Sequence, residues 1–436
     1  MAFEAKRARA LTAMGSGIEQ AFHQTKPHLG PLSPGCRLCG QGSWSCLFIN
    51  GKCNCRCFYC PTSQEEIGVP TTNRIPFPNP ADYATFVHRL GFSGVSISGG
   101  EPLLTFDRTL GYIKAVRRRM GDDLHVWLYT NGTLLTADRV EALRAVGVNE
   151  IRFDISAAAY DLKKVALAVG RIPCVTIEIP AIPEDLDKLA ALLPEMRAMG
   201  VNYLNLHQLR LTPHNRARLM TRDYTYLHGE KATVLESEWT ALALMQQALE
   251  KGVGLPVNYC SFVYKHRCQR AAARKKNAPF VLNGHESVTK SGFIRTLAAW
   301  GGPEEISRQA DQLSKQGVEI RLWQMTGKKD RLRFHPSLWP VIDRKTVQLQ
   351  VGYAEAVLCP HMSYRNPFKE IRLSPNSKIY VERQPHCPDV TITAEQCAAF
   401  ENVILQKAPD GEVSADPLPD DILGHEFIEP GLQNYF

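Results

Sequence analysis

Short apolar or β-branched runs alternate with amphipathic stretches from about residue 46 to residue 210. The runs are SCLFIN (45–50), GVSISGG (94–100), LHVWLYTNG (124–132), NEIRFDIS (149–156), CVTIEIPAI (174–182) and YLNLHQL (203–209). Runs of that length suit strands buried on both faces of a parallel sheet. Between them lie helical patterns at 79–91, 105–121, 136–147, 161–171 and 184–200. Several open at Asn, Thr or Asp and close at Gly, as capped helices do. Six βα units of about 27 residues each match an ordinary crossover. The pattern predicts an α/β fold, a parallel barrel or partial (β/α)6 barrel, with a doubly wound sheet as the alternative.

The flanks differ. Residues 1–35 read as a short helical lead followed by a Pro/Gly-rich loop, KPHLGPLSPG. Residues 211–232 have no period and read as a long surface loop, a candidate lid. A helix is expected over 233–252, and 257–276 mixes cysteine, aromatic and basic residues. From about 280 a β-α-β pattern and further strands suggest a smaller α+β domain. The expected divisions are an N-terminal extension (1–45), a core with its following helix and Cys260 segment (46–278), a C-terminal domain (279–410) and a tail (411–436). No internal repeat stands out.

Composition narrows the class. The chain has 436 residues, 44% of them hydrophobic, enough for a sizeable core and more than one domain. No apolar run approaches the roughly 18 residues of a membrane span. The N-terminus carries Lys6, Arg7 and Arg9 without an apolar segment, so a cytoplasmic address is expected. A formal charge of +7 is modest for this length and accords with scattered solvated Lys and Arg. Thirteen cysteines, clustered near the N-terminus, suit metal binding better than a disulfide framework.

The densest cysteine segment is CNCRCFYC (53–60). Cys53, Cys57 and Cys60 form C-x3-C-x2-C directly after a predicted strand. Three thiolates from one loop ligate three irons of a cubane cluster and leave the fourth iron open to a ligand. The competing reading is a zinc loop with Cys55 as fourth thiolate, although so short a segment leaves little slack for a tetrahedral site. One βα unit later comes Gly99-Gly100-Glu101-Pro102, whose glycines allow close backbone approach to a ligand and whose carboxylate suits a cationic amine. Tyr129-Thr130-Asn131-Gly132 ends the next strand, on the same rim.

These three motifs, in this order, resemble the radical S-adenosylmethionine (radical SAM) superfamily, in the style of the pyruvate formate-lyase activating enzyme, over about residues 46–265. The resemblance implies a TIM-like partial barrel and a [4Fe–4S] cluster on Cys53, Cys57 and Cys60 whose open iron chelates SAM. It implies cofactor contacts at Tyr59, Gly99, Gly100, Glu101, Pro102, Thr130 and Asn131. Neighbours of the ribose, carboxylate or adenine are expected on the fourth and fifth strands, at Arg152, Asp154, Ser156 and from Glu178 to Ile182; ordinary barrel lining is the other reading of that group. The implied activity is reductive cleavage of SAM and hydrogen abstraction from an unidentified, small-molecule substrate, with electrons from a donor such as a flavodoxin or ferredoxin. A peptide or protein modifier, whether maturase or glycyl-radical activase, is the alternative.

Upstream, Cys36 and Cys39 form C-x2-C. The extension resembles that of an uncharacterised activase-like group. With Cys260, and Cys46 or Cys268 as fourth, they are a candidate auxiliary iron–sulfur site; zinc, or no metal, are the other readings. Rivals of another class are a ferredoxin-like electron carrier, disfavoured by the glycine-rich and YTNG motifs, and a zinc-binding nucleic-acid module, which the cysteines and positive charge would allow. No membrane partner is expected. His207, His214, Tyr224 and Tyr226 are weaker substrate candidates. Trp323, Phe334 and Trp339 are read as recognising substrate or capping the barrel.

Overall fold

The computed structural model describes residues 2–406 and 418–432, and falls into two compact units. Residues 407–417 and 433–436, which take in much of the expected tail, lie outside the described residues. The first unit holds residues 1–269 with two short later segments, and the second holds 270–371 and 378–429.

The first unit is built on β1 (Lys26–Leu29), β2 (Trp44–Asn50), β3 (Gly94–Gly99), β4 (His125–Thr130), β5 (Glu150–Phe153), β6 (Cys174–Pro180), β7 (Tyr203–His207) and β8 (Val257–Cys260). Strands β2 to β8 pair in chain order and all in parallel, a partial barrel. All six expected strands are present. The seventh parallel strand, β8, falls in the mixed segment that carried no clear period. β1 pairs antiparallel with β8 and lies in the stretch read as a loop. Its two residues Lys26 and Pro27 break the apolar pattern that marks a strand.

Helices Pro80–Arg89, Phe106–Met120, Ala137–Ala145 and Leu186–Met199 fill the crossovers. Asn79 and Thr136 cap the first and third through their side chains. The helix expected over 161–171 is a single turn, Lys163–Ala166. Bonds from Ala168 N to Val165 O and from Arg171 N to Ala168 O tighten the chain, and Gly170 (φ 74°) ends it.

Strand alternation sorts the two faces of the sheet. Leu47, Ile49, Val95, Ile97, Val126, Leu128 and Ile151 are wholly buried. The opposite face carries polar groups joined across strands. Arg152 donates to Tyr129, Glu150 and Glu178; Thr176 donates to Glu150; Asn205 donates to Glu178. A polar lumen of this kind must be saturated to be tolerated.

The second unit is an eight-stranded antiparallel sheet with the Pro303–Lys315 helix. Its core includes Leu297, Ile306, Phe334, Trp339 and Phe400. Phe334 and Trp339 are therefore spent on packing and present no recognition surface, since burying such rings is worth more than leaving them exposed.

Candidate active site

The loop after β2 begins where two chain segments nearly touch. Gly100 N donates to Asn50 O and Glu101 N to Lys52 O, both at 2.8 Å. A Cβ on Gly99, at φ 142°, would stand 2.3 Å from Asn50 O, and one on Gly100 2.2 Å from Lys52 O. The paired glycines are thus required by the start of the cysteine loop itself. The loop then closes through Gly51 N to Ile67 O (3.0 Å) and Cys53 N to Gln64 O (3.2 Å).

Glu101 lies beneath this loop with no exposed surface. Its carboxylate accepts from Leu103 N (2.9 Å), Thr130 Oγ1 (2.8 Å) and Asn131 N (2.7 Å). It joins the ends of β3 and β4 and takes no part in lining the cavity. Burial without a cation nearby pushes its carboxyl up to about 7.

The loop's far end is held from two sides. Tyr59 Oη donates to Asp154 Oδ2 (3.0 Å) and meets Ser156 Oγ at 2.6 Å. The 211–222 segment, expected as a lid, instead grips the loop backbone. Thr212 Oγ1 donates to Pro61 O (3.1 Å), Asn215 Nδ2 to Tyr59 O (3.0 Å) and Arg218 Nη1 to Cys57 O (3.1 Å). Arg222 stacks over Phe58 at 3.7 Å from the ring centre. Nothing in the periodicity of 211–232 signalled this clamp.

The thiols differ in their surroundings. Donation from the Cys55 thiol pulls Cys53 down to about 6, helped by Cys55 N (3.4 Å) and Asn131 Nδ2 (3.7 Å). Burial pushes Cys57 up to about 11. A thiol so lowered is held towards the thiolate, the form in which cysteine ligates metal. Among the described residues no three Cys, His, Asp or Glu side chains converge on a single ion. A cube-shaped cluster is held at its corners by separated thiols, so three cysteines spread along one cavity wall fit it.

Cys53, Cys57 and Cys60 line a cavity of about 450 Å³. Of the expected cofactor residues, Tyr59, Gly99, Gly100, Thr130, Asn131 and Asp154 line it too, while Glu101, Pro102, Ser156 and Ile182 stand behind the wall. Arg152, Glu178 and His207 also face it. Burial, then the charge of Lys265, pulls His207 down to about 4, leaving it neutral at pH 7. Gln208, Arg210, Phe262 and Lys265 also line it and were missed. Arg210 and Lys265 flank the Phe262 ring at 5.6 and 4.7 Å from its centre. The only hint was the basic, aromatic texture of 257–276.

The remaining cysteines divide. Cys36 and Cys39 lie on the Pro34–Gly40 helix, capped by Ser33, and Cys260 ends β8. All three act on the buried Lys26 side chain. Burial, then Cys260, pushes Cys39 up to about 12. Cys46 lies in the lumen, in the field of Glu178 and Arg152 and in register with Ser96 of β3. Cys268 sits 3.3 Å from Thr25 Oγ1 and donates to Phe22 O (3.1 Å).

Comparison with known proteins agrees on the core. The Radical SAM superfamily profile matches residues 47–171. A putative glycyl-radical enzyme activating enzyme of Methanocaldococcus jannaschii is 25% identical over 318 residues, 70% of this chain and 84% of that protein. A probable GTP 3′,8-cyclase of Halobacterium salinarum is 31% identical over 170 residues, and the match spans 46% of its length. Among solved structures, coproporphyrinogen III oxidase from Escherichia coli, a radical SAM enzyme, aligns with a TM-score of 0.32 at 14% identity, covering 50% of this chain and 56% of that one.

Proposed function

We propose that this chain, a radical SAM superfamily enzyme with activase-like similarity, holds its [4Fe–4S] cluster on Cys53, Cys57 and Cys60 and takes SAM and a small-molecule substrate into the adjoining cavity. Held on Cys53, Cys57 and Cys60, such a cluster would supply the electron for reductive cleavage of SAM and, through it, the radical chemistry of hydrogen abstraction from substrate. The protein's part is positional. Tyr59, Asp154 and Ser156 fix the loop from inside, and Thr212, Asn215 and Arg218 fix it from the 211–222 segment. On the cavity wall, Arg210 and Lys265 offer two cations beside an aromatic face, a surface suited to a planar or anionic substrate.

The carrying observation is that three loop thiols and six of the expected cofactor residues line one cavity of cofactor size. Cytoplasmic placement and a flavodoxin- or ferredoxin-type donor belong to the same reading, which thirteen free thiols support. A second reading, activation of a glycyl-radical protein, is favoured by the relative matched over most of its length. Anaerobically reconstituted enzyme with dithionite and SAM is expected to form 5′-deoxyadenosine. Adding the small-molecule or the protein fraction of a cell extract then separates the two readings. Stimulation by the small-molecule fraction supports the first, and stimulation by protein alone overturns it. No deoxyadenosine in any tube sinks both.

A further inference from the structure

Lys26 is 1% exposed, yet it meets no carboxylate among the groups that act on it. On β1 it lies one alternation beyond the His28–Asn258 pair, which brings it beside Cys260 on β8. Its side chain lies in the field of Cys260, Cys36 and Cys39, and its Nζ stands 4.5 Å over the Tyr264 ring. An ammonium in such a place is costly unless negative charge is supplied to it.

The surrounding groups point their donors at the same sulfurs. Gln269 Nε2 donates to Cys39 Sγ at 2.9 Å and Tyr264 Oη at 3.4 Å, while Asn205 Nδ2 donates to Cys36 Sγ at 3.2 Å. Tyr264 and Gln269 bound a π-helical turn, Tyr264–Gln269, a widening common at functional sites. Donors aimed at sulfur serve thiolates far better than thiols. Three thiols drawn from a helix and a distant strand, a carboxylate-free lysine and three sulfur-directed donors are a built site.

We propose that Cys36, Cys39 and Cys260 bind an auxiliary [4Fe–4S] cluster at three of its irons, and that the Lys26 ammonium stands where a fourth thiolate would, neutralising the cluster and donating to its sulfurs. The charges close. An oxidised cubane core carries two positive charges, three thiolates bring three negative ones, and each thiol releases its proton on binding. The one negative charge left is cancelled by Lys26. Asn205 also donates to Glu178, a wall residue of the SAM cavity, so one side chain spans from this site to the other. The site stands apart from the choice of substrate.

The test uses the full chain carrying C53A, C57A and C60A, so that iron found in it belongs to the second site. Reconstituted anaerobically, it is expected to hold about four irons and four sulfides. Zinc alone, or no iron, overturns the proposal. Adding Lys26→Met is expected to shift the cluster's reduction at least tenfold towards the oxidised form, about 59 mV for one electron. Lys26→Arg restores it, because a cation stabilises the more negative reduced state. Loss of this iron in Lys26→Met with recovery in Lys26→Arg supports the lysine's role equally. Unchanged iron and potential in Lys26→Met remove it.

Discussion

Cys53, Cys57 and Cys60 reach their cavity from a single eight-residue stretch, whereas Cys36, Cys39 and Cys260 meet only because a helix ahead of the barrel and its last parallel strand fold together. The first set is held by backbone. Its loop is bonded to the paired glycines of β3 and gripped at Tyr59, Pro61 and Cys57 by the 211–222 segment. The second set is held by side chains, with Lys26, Asn205, Tyr264 and Gln269 arranged around the sulfurs. A local loop tolerates an open face and so admits a ligand. A site assembled from remote elements is enclosed by them, so its charges must be balanced from within.

The difference extends to the carboxylate beneath each set. Glu101 under the first receives only neutral donors. Glu150 under the second accepts from Gly35 N (3.2 Å) in the Pro34–Gly40 helix and pairs with Arg152 (2.8 Å). Burial would raise Glu150, but the charge of Arg152 and the bond from His125 bring it down to about 2. Two buried carboxylates in one barrel are thus driven in opposite directions by their partners.

The largest expected effect separates the two thiol sets by activity. C53A/C57A/C60A should take dithionite-driven 5′-deoxyadenosine formation to background, whereas C36A/C39A/C260A should continue to form it, because dithionite delivers electrons without an auxiliary relay. The reverse outcome would exchange the roles of the two sets.

The next effect is in stability against pH. Glu101 has a folded pKa of about 7 against an ordinary 4.5, so its contribution is fully present below 4.5 and fades as pH rises through 7. Glu150 has the opposite sign: its contribution is present above 4.5 and fades as pH falls towards 2. Each shift corresponds to about 3 kcal/mol. Denaturant midpoints of the apoprotein should show the Glu101→Gln penalty shrinking between pH 5 and 8. The Glu150→Gln penalty should stay constant over the same range and fall only in acid. Parallel pH profiles for the two variants would erase the distinction.

A smaller effect tests the clamp on the first set. Asn215 is fully buried and satisfies Tyr59 O and Arg210 O while accepting from Thr212 N. Asn215→Ala should cost about 1–3 kcal/mol. It should also speed loss of iron to a chelator from the first site only, seen when the C36A/C39A/C260A background is compared with the C53A/C57A/C60A one. Equal loss from both would mean that the variant loosens the whole barrel.

Much of the core could be read in advance because its signals are local. Buried parallel strands write themselves as short apolar runs, and Cys53, Cys57, Cys60, Gly99 and Gly100 fall at fixed offsets from their ends. β1 and β8 escaped because Lys26 and Cys260 occupy positions where a strand pattern wants an apolar residue. The grip of Thr212, Asn215 and Arg218 escaped because hydrogen bonds to backbone carbonyls leave no periodic trace. Glu101 was legible from its motif, but the tie it makes between strand ends through its three buried donors was not.

By itself the sequence determined the succession of βα units, the cysteine loop and the motifs on which the proposed chemistry rests, since each depends on residues near one another along the chain. Only the tertiary structure decided that β1 closes against β8, that the 211–222 segment clamps the loop, and that Cys36, Cys39 and Cys260 share one buried lysine. Those outcomes depend on which distant side chains become neighbours when water is excluded, and on the need to satisfy every charge and hydrogen-bonding group enclosed with them.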